Sequence, residues 1–193
     1  MDLRLYRLPI FLLLTFAGQT TLLAAERVMG LEMQTKMEWP AFSVLQLPDC
    51  WFLYRCEQSK RRALFHRDFV DPEHTMRFRV ELTKLPATGS LTGALGQQLR
   101  HDQAVVIDYR EERTTRSGQA AIRYACELQD LKLSRKFKKA IITRERGLTI
   151  IHPFLANTII HIAFSETAPE GELHEAAFSQ ADNIMNRVAL EAQ

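Results

Sequence analysis

The stretch "TMRFRVELTKL" (75–85) places Met76, Phe78, Val80 and Leu82 on one side of an extended chain and Arg77, Arg79, Glu81 and Thr83 on the other. A side-chain period of two marks a strand with one buried face, and it is incompatible with the wider spacing of a helical stripe. The same pattern recurs on both sides of it. "AVVIDYREER" (104–113) and "QAAIRYACEL" (119–128) are two further strands, and the turn-rich "TTRSG" between them predicts a hairpin. In the second, Ile122, Tyr124, Cys126 and Leu128 share a face, which turns Cys126 toward a core.

Downstream, "KAIITRERGLTIIHPFLANTIIHIAFSE" (139–166) divides into three expected strands, with turns near Arg146 and Gly147 and again near Ala156 and Asn157. Ile159 to Phe164 is apolar on both faces, as expected of a central strand covered on two sides. "AFSVLQL" (41–47) and "RALFHRDFV" (62–70) bring the set to about seven or eight strands. Two helices are expected. "SLTGALGQQLRHD" (90–102) offers Ser90 as N-cap and Leu91, Ala94, Leu95 and Leu99 at helical spacing. "TAPEGELHEAAFSQADNIMNRVALEA" (167–192) opens with Thr167 and Glu170 spaced as a capping box. Its apolar stripe, Leu173, Ala177, Ala181, Ile184 and Val188, is widened by Phe178 and Met185. The expected class is therefore α+β: an antiparallel sheet packed with helices, the last a C-terminal amphipathic helix.

The first 25 residues differ in kind. Arg4 and Arg7 flank an apolar run from Leu8 to Ala17, a polar break comes next, and Ala24 and Ala25 form a small-residue exit. These are the parts of a cleavable secretory signal peptide, and the run is shorter than the ~20 residues that span a bilayer. The alternative is an uncleaved anchor from Leu8 to Ala25. On the first reading residues 26–193 form one mature α+β domain, exported to the periplasm of a Gram-negative bacterium. That segment carries 23 basic and 22 acidic residues, so no global charge favours nucleic acid.

An oxidising compartment makes "LPDCWFLYRC" (47–56) a question of pairing. Cys50, Cys56 and Cys126 allow a bond between the first two, a bond from either to Cys126, or none. Residues six apart on a strand are ~20 Å apart against a limit of ~7 Å for a bridge, so a Cys50–Cys56 bond requires "WFLY" to fold back. Redox and metal roles for the thiols lack CxxC spacing and further ligands.

No GxSxG, HExxH, P-loop or GxGxxG after a strand is present, and no cofactor or catalytic residue is expected. Glu111 and Glu112 are adjacent on a strand and point to opposite faces, so they cannot share a substrate. Among the histidines, a two-residue turn at Ala156 and Asn157 would set His152 opposite His161, the one pair considered as half of a metal site. The basic run "KLSRKFKK" (132–139) places Lys132, Arg135, Lys136, Lys138 and Lys139 around Phe137. It reads as a solvated loop, with contact to an acidic partner or a membrane surface as the functional alternative.

Leu47, Pro48 and Trp51 (Leu-Pro-x-x-Trp), Gly118, Ala121 and Arg123 (Gly-x-x-Ala-x-Arg), and the element order over residues 41–190 resemble the Mog1/PsbP-like fold, closest to the bacterial DcrB and DUF1795 proteins. The resemblance implies an α/β/α sandwich and a binding or assembly role, with no catalytic signature to carry over. The resulting expectation is a non-enzymatic periplasmic accessory protein with a protein partner in the envelope or a secretion system. The alternatives are an immunity protein against a delivered toxin and a small-ligand carrier or hydrolase, the last distinguished by a deep pocket lined with convergent polar groups.

Overall fold

The computed structural model describes residues 36–48, 51–57, 62–67, 73–86, 89–99 and 103–192. Residues 1–25, and with them both the signal-peptide and the anchor readings, lie outside that set, as does Cys50. No helix among the described residues is long and apolar enough to cross a membrane.

The strand predicted from residue 75 is β5 (Thr75–Lys84), and Met76, Phe78, Val80 and Leu82 are all buried. Around it lie β3 (Trp51–Glu57), β4 (Arg62–Arg67), β6 (Ala104–Arg116), β7 (Gln119–Asp130), β8 (Ile141–Ile151) and β9 (Thr158–Pro169). They form one seven-stranded antiparallel sheet in the order β3-β4-β5-β9-β8-β7-β6. A smaller sheet joins β1 (Met37–Trp39), β2 (Phe42–Val44) and β10 (Val188–Leu190), also antiparallel.

Each face of the large sheet has its own cover. The Phe78 face carries Trp51, Leu53, Phe65, Leu148, Ile160, Ile162 and Phe164 into one core with Trp39, Phe42 and Val44 of the small sheet. Trp39 stacks on Phe42 at 4.9 Å and meets Phe65 edge-on at 6.0 Å, and Phe65 in turn stacks on Phe78 at 5.5 Å. Apolar burial at ~25 cal/mol per Å² makes this aromatic column a source of stabilisation. The Arg79 face is covered by helix α1 (Leu91–Gln98), whose Leu95 packs on Ile122, Tyr124, Cys126 and Leu128. Ser90 caps α1 as expected, its hydroxyl accepting from the Gly93 amide at 3.2 Å. The hairpin is also as predicted: Arg116 pairs with Gln119, and Ser117 and Gly118 hold φ of 52° and 73°, the two-residue turn that suits strand twist.

Three expectations fail. Residues 139–166 contain two strands, because β8 runs unbroken through Arg146 and Gly147. Gly147 lies opposite Tyr124, and a β-carbon there would stand 2.2 Å from the Tyr124 ring. The glycine therefore admits the phenol across the backbone of β8 and does not break the strand. The C-terminal helix is likewise absent as one piece. Thr167 to Pro169 finish β9, paired with Thr143 to Ile141, and Thr167 Oγ1 meets Thr143 Oγ1 at 2.8 Å. Ladder pairing and complete burial of Ala168 override the capping-box propensity. Two short helices, α3 (Glu175–Ser179) and α4 (Ala181–Met185), then lead to β10, which returns to the small sheet. Phe178, Ala181, Ile184, Met185 and Val188 are buried as the stripe required. Finally, the basic run is helical: Leu131–Phe137 forms α2, capped by Asp130 Oδ1 accepting from the Leu133 amide at 2.8 Å.

The close approach at Gly147 makes a direct prediction. Gly147→Ala lowers unfolding free energy by ~1–3 kcal/mol or more through overpacking against Tyr124. In a denaturant double-mutant cycle, Tyr124→Ala absorbs most of that cost, so the two losses are less than additive; strict additivity would show that the contact does not limit residue 147.

Candidate ligand-binding cavity

On the Arg79 face, α1 leaves part of the sheet uncovered among the described residues. There Arg62 and Leu64 of β4, Arg77 and Arg79 of β5, Ala163, Ser165 and Thr167 of β9, Thr143 and Glu145 of β8 and Leu128 of β7 floor a cavity of about 620 Å³. Its wall is Lys132 and Leu133 of α2 with Asp130, Gln103 and Ala104. Period-two alternation creates this floor, because the residues of β5 that point away from the aromatic core point toward it.

The polar groups are unequal in charge. Four cations, Arg62, Arg77, Arg79 and Lys132, face two carboxylates, Asp130 and Glu145, among three hydroxyls, Thr143, Ser165 and Thr167. Asp130 is occupied in capping α2, and Glu145 lies 3.6 Å from Arg79. Arg62 stands 3.8 Å from Glu81, and its Nε is buried without a hydrogen bond among the described residues. Arg77 and Lys132 have no ion-pair partner among the described residues, and four cations against two carboxylates leave the cavity lining with a net positive charge.

Beside the cavity, on the same face of the sheet, runs a buried polar chain. The Tyr124 hydroxyl donates to Glu145 Oε1 at 2.5 Å, which leaves only its lone pairs for His161 Nε2, 3.1 Å away. His161 therefore carries its proton on Nε2, and Nδ1 accepts from Thr149 Oγ1 at 2.8 Å. Arg79 reaches the same Nε2 only at 3.4 Å. Burial, and then the Arg79 charge, push the His161 imidazole down to about 3, so it is neutral at ordinary pH. The chain holds Glu145 and Arg79 in fixed positions at the cavity floor, a supporting layer for whatever binds above.

The residues singled out in the sequence fall apart in space. His152 and His161 do not face each other: Ile151 pairs with Ile159, the linking loop is longer than two residues, and His161 lies opposite Thr149. The His152 Nε2 instead donates to the Ala41 carbonyl at 2.8 Å, pinning the small sheet. Cys126 is a free, buried thiol, raised to about 12 by burial, hence unreactive. A bridge from Cys56 to Cys126 is ruled out, since β3 and β7 are separated by the four strands β4, β5, β9 and β8, each adding a spacing of ~4.8 Å. Trp51–Glu57 is an extended strand with a bulge rather than a fold-back, and pairing of Cys50 rests on residues outside those described.

Of the basic run, only Lys132 enters the cavity. Arg135 and Lys136 sit in the last turn of α2, where cations suit the helix dipole, Lys136 lying over Phe137 at 4.9 Å. Lys138 is the left-handed cap at φ 57°, and Lys139 pairs with Glu73. Arg62, Arg77, Arg79 and Glu145 were not expected as site residues. Their signal was present, as the polar side of each alternating strand, but it looks the same for any solvated face.

No protein-family model matches the chain, and no curated protein matches it. The solved structures similar to it include the following two. Cyanobacterial PsbP (CyanoP) from Synechocystis sp. PCC 6803 has a TM-score of 0.43 and 14% identity, over 78% of this chain and 86% of that one. A mutant of the protein Mog1 has a TM-score of 0.39 and 13% identity, over 78% of this chain and 83% of that one. Nothing is carried over from either to this chain.

The neutral His161 sets a pH dependence. Its folded value of about 3 lies below the unfolded ~6.5, so within that window the unfolded chain takes up a proton that the folded chain refuses. The stabilisation is complete above pH ~6.5 and is lost as pH falls, by up to ~1.4 kcal/mol per pH unit. Urea unfolding of His161→Gln at a series of pH values therefore shows a shallower loss below pH ~6.5 than the wild type; equal slopes would contradict a neutral, buried imidazole.

Proposed function

We propose that this protein is an exported, non-enzymatic binding protein of the bacterial envelope whose bare sheet face holds a small anionic organic molecule. The observation that carries the reading is the cavity's composition: four cations against two carboxylates, three hydroxyls, and apolar patches from Leu64, Leu128, Leu133 and Ala163. A volume of about 620 Å³ falls in the ~300–1,000 Å³ range of small-molecule sites. Arginine favours planar carboxylate or phosphate groups, and the positive excess of the lining, with Arg77 and Lys132 outside any ion pair among the described residues, supplies the attraction. The DcrB and DUF1795 likeness, carried by Leu47, Pro48, Trp51 and the Gly118–Arg123 segment, also fits an envelope binding module.

A thermal-shift screen of small carboxylates and phosphates on purified protein tests the reading. At least one class raises the midpoint of the wild type, and Arg77→Ala with Lys132→Ala weakens its binding by on the order of tenfold or more. If no anion shifts the midpoint at millimolar concentration, and crosslinking in native cells captures a single tightly held protein, the assembly-accessory or immunity reading replaces this one. Export has its own check. N-terminal sequencing of protein from a periplasmic extract is expected to begin at Glu26, whereas a chain beginning at Met1 in the membrane fraction would overturn cleavage.

A further inference from the structure

On the Phe78 face, away from the cavity, three residues distant in sequence converge. His74 stands immediately before β5, Glu166 lies in β9 opposite Met76, and His174 immediately precedes α3. The Glu166 side chain is wholly buried, His74 is buried, and the His174 side chain is 57% exposed. Glu166 Oε1 lies 2.8 Å from His74 Nε2 and 3.1 Å from His174 Nδ1, and the two nitrogens are 3.3 Å apart. The backbone amide of His174 also donates to Oε1 at 2.8 Å, which fixes the chain entering α3 over the carboxylate.

We infer that His74, Glu166 and His174 form a binding site for a divalent transition metal of the zinc class. Three ligands ~2.1 Å from one ion are ~3.0 Å apart when mutually perpendicular and ~3.4 Å apart at tetrahedral angles. The observed triangle of 2.8, 3.1 and 3.3 Å has that size. Two imidazoles and one carboxylate are a donor set for zinc, iron, cobalt or nickel, in contrast to the all-oxygen sets of calcium and magnesium. The second carboxylate oxygen has the support such a ligand needs. Glu166 Oε2 makes no hydrogen bond among the described residues, and the Arg144 guanidinium stands 3.7 Å from it. Arg144 is held in turn by Glu175 and by stacking over Phe178 at 4.6 Å. Arg144 thus balances one oxygen while the other joins the two nitrogens, the outer-layer arrangement that orients a metal-bound carboxylate. Exposure of His174 leaves the remaining coordination positions toward solvent, open to water or an exogenous ligand.

The test uses untagged mature protein, chelator-treated and with its thiols blocked by iodoacetamide, titrated with zinc and separately with cobalt. Calorimetry should give one zinc per chain, cobalt should produce visible d–d absorption, and zinc should raise the melting midpoint. His174→Ala removes an exposed ring and keeps the backbone amide to Glu166, so it folds; its zinc affinity falls on the order of 100-fold and zinc no longer shifts its melting. His74→Gln should behave likewise. Substoichiometric zinc in the wild type, or undiminished affinity in His174→Ala, overturns the site.

Discussion

Strand β9 is buried on both of its faces, and any polar group placed on it must be answered by a partner from another element. Ile160, Ile162 and Phe164 face the aromatic core, while Ile159, His161 and Ala163 face the opposite side, all with 2% exposure or less. Leaving a buried polar group unanswered costs ~1–3 kcal/mol, and more when it is charged. Three positions of β9 carry such groups: Thr167 is met by Thr143 Oγ1, and the structure around the other two is organised to meet that cost. His161 gathers Thr149, Tyr124 and, through Tyr124, Glu145. Glu166, two residues past Phe164, gathers His74, the His174 amide and ring, and the Arg144 charge.

These two responses lie on opposite faces and have different consequences. The His161 chain is sealed beside the cavity, on the same face of the sheet. It sets the position of Glu145 and Arg79, so the cavity above inherits a rigid charged base. The Glu166 cluster lies where the chain leaves β9 and turns at Gly171, φ 83°, toward α3, and it ties that turn to the start of β5. The outer edge of the sheet obeys another rule. β6 exposes Val105, Val106 and Ile107, while Asp108, Arg110, Glu111, Glu112 and Arg113 charge the rest of the strand, the usual guard against edge pairing.

How much was legible in the sequence differs between elements for physical reasons. The period of two in residues 75–85, 104–113 and 119–128 points to strands because backbone pleating sends successive side chains to opposite faces, and in β5 and β7 one of those faces is buried. The Ser90 cap and the Ser117-Gly118 turn were legible because their geometry is settled within four residues. Gly147 was misread because a glycine that admits a neighbouring ring looks, in one dimension, like a glycine that turns the chain. Thr167 and Glu170 were misread because a good helix start lost to a strand ladder whose other half, Ile141 to Thr143, lies about 25 residues upstream. The candidate sites were hardly legible at all. Arg62, Arg79, Glu145 and Thr167 come from four strands, and His74 and Glu166 are separated by 92 positions.

By itself, then, the sequence determined the class of the fold, the strand faces and the burial of Phe78, Tyr124, Phe164 and Phe178, since alternation and local turn chemistry act over a few residues. Only the tertiary structure decided which polar residues meet. Strand order places β4, β5, β9, β8 and β7 side by side, and so makes a cationic cavity from the polar halves of five ordinary strands. The same order brings His74 and His174 onto a buried glutamate. Neither juxtaposition has a sequence spacing of its own, because hydrogen bonding between strands, rather than distance along the chain, sets which side chains become neighbours.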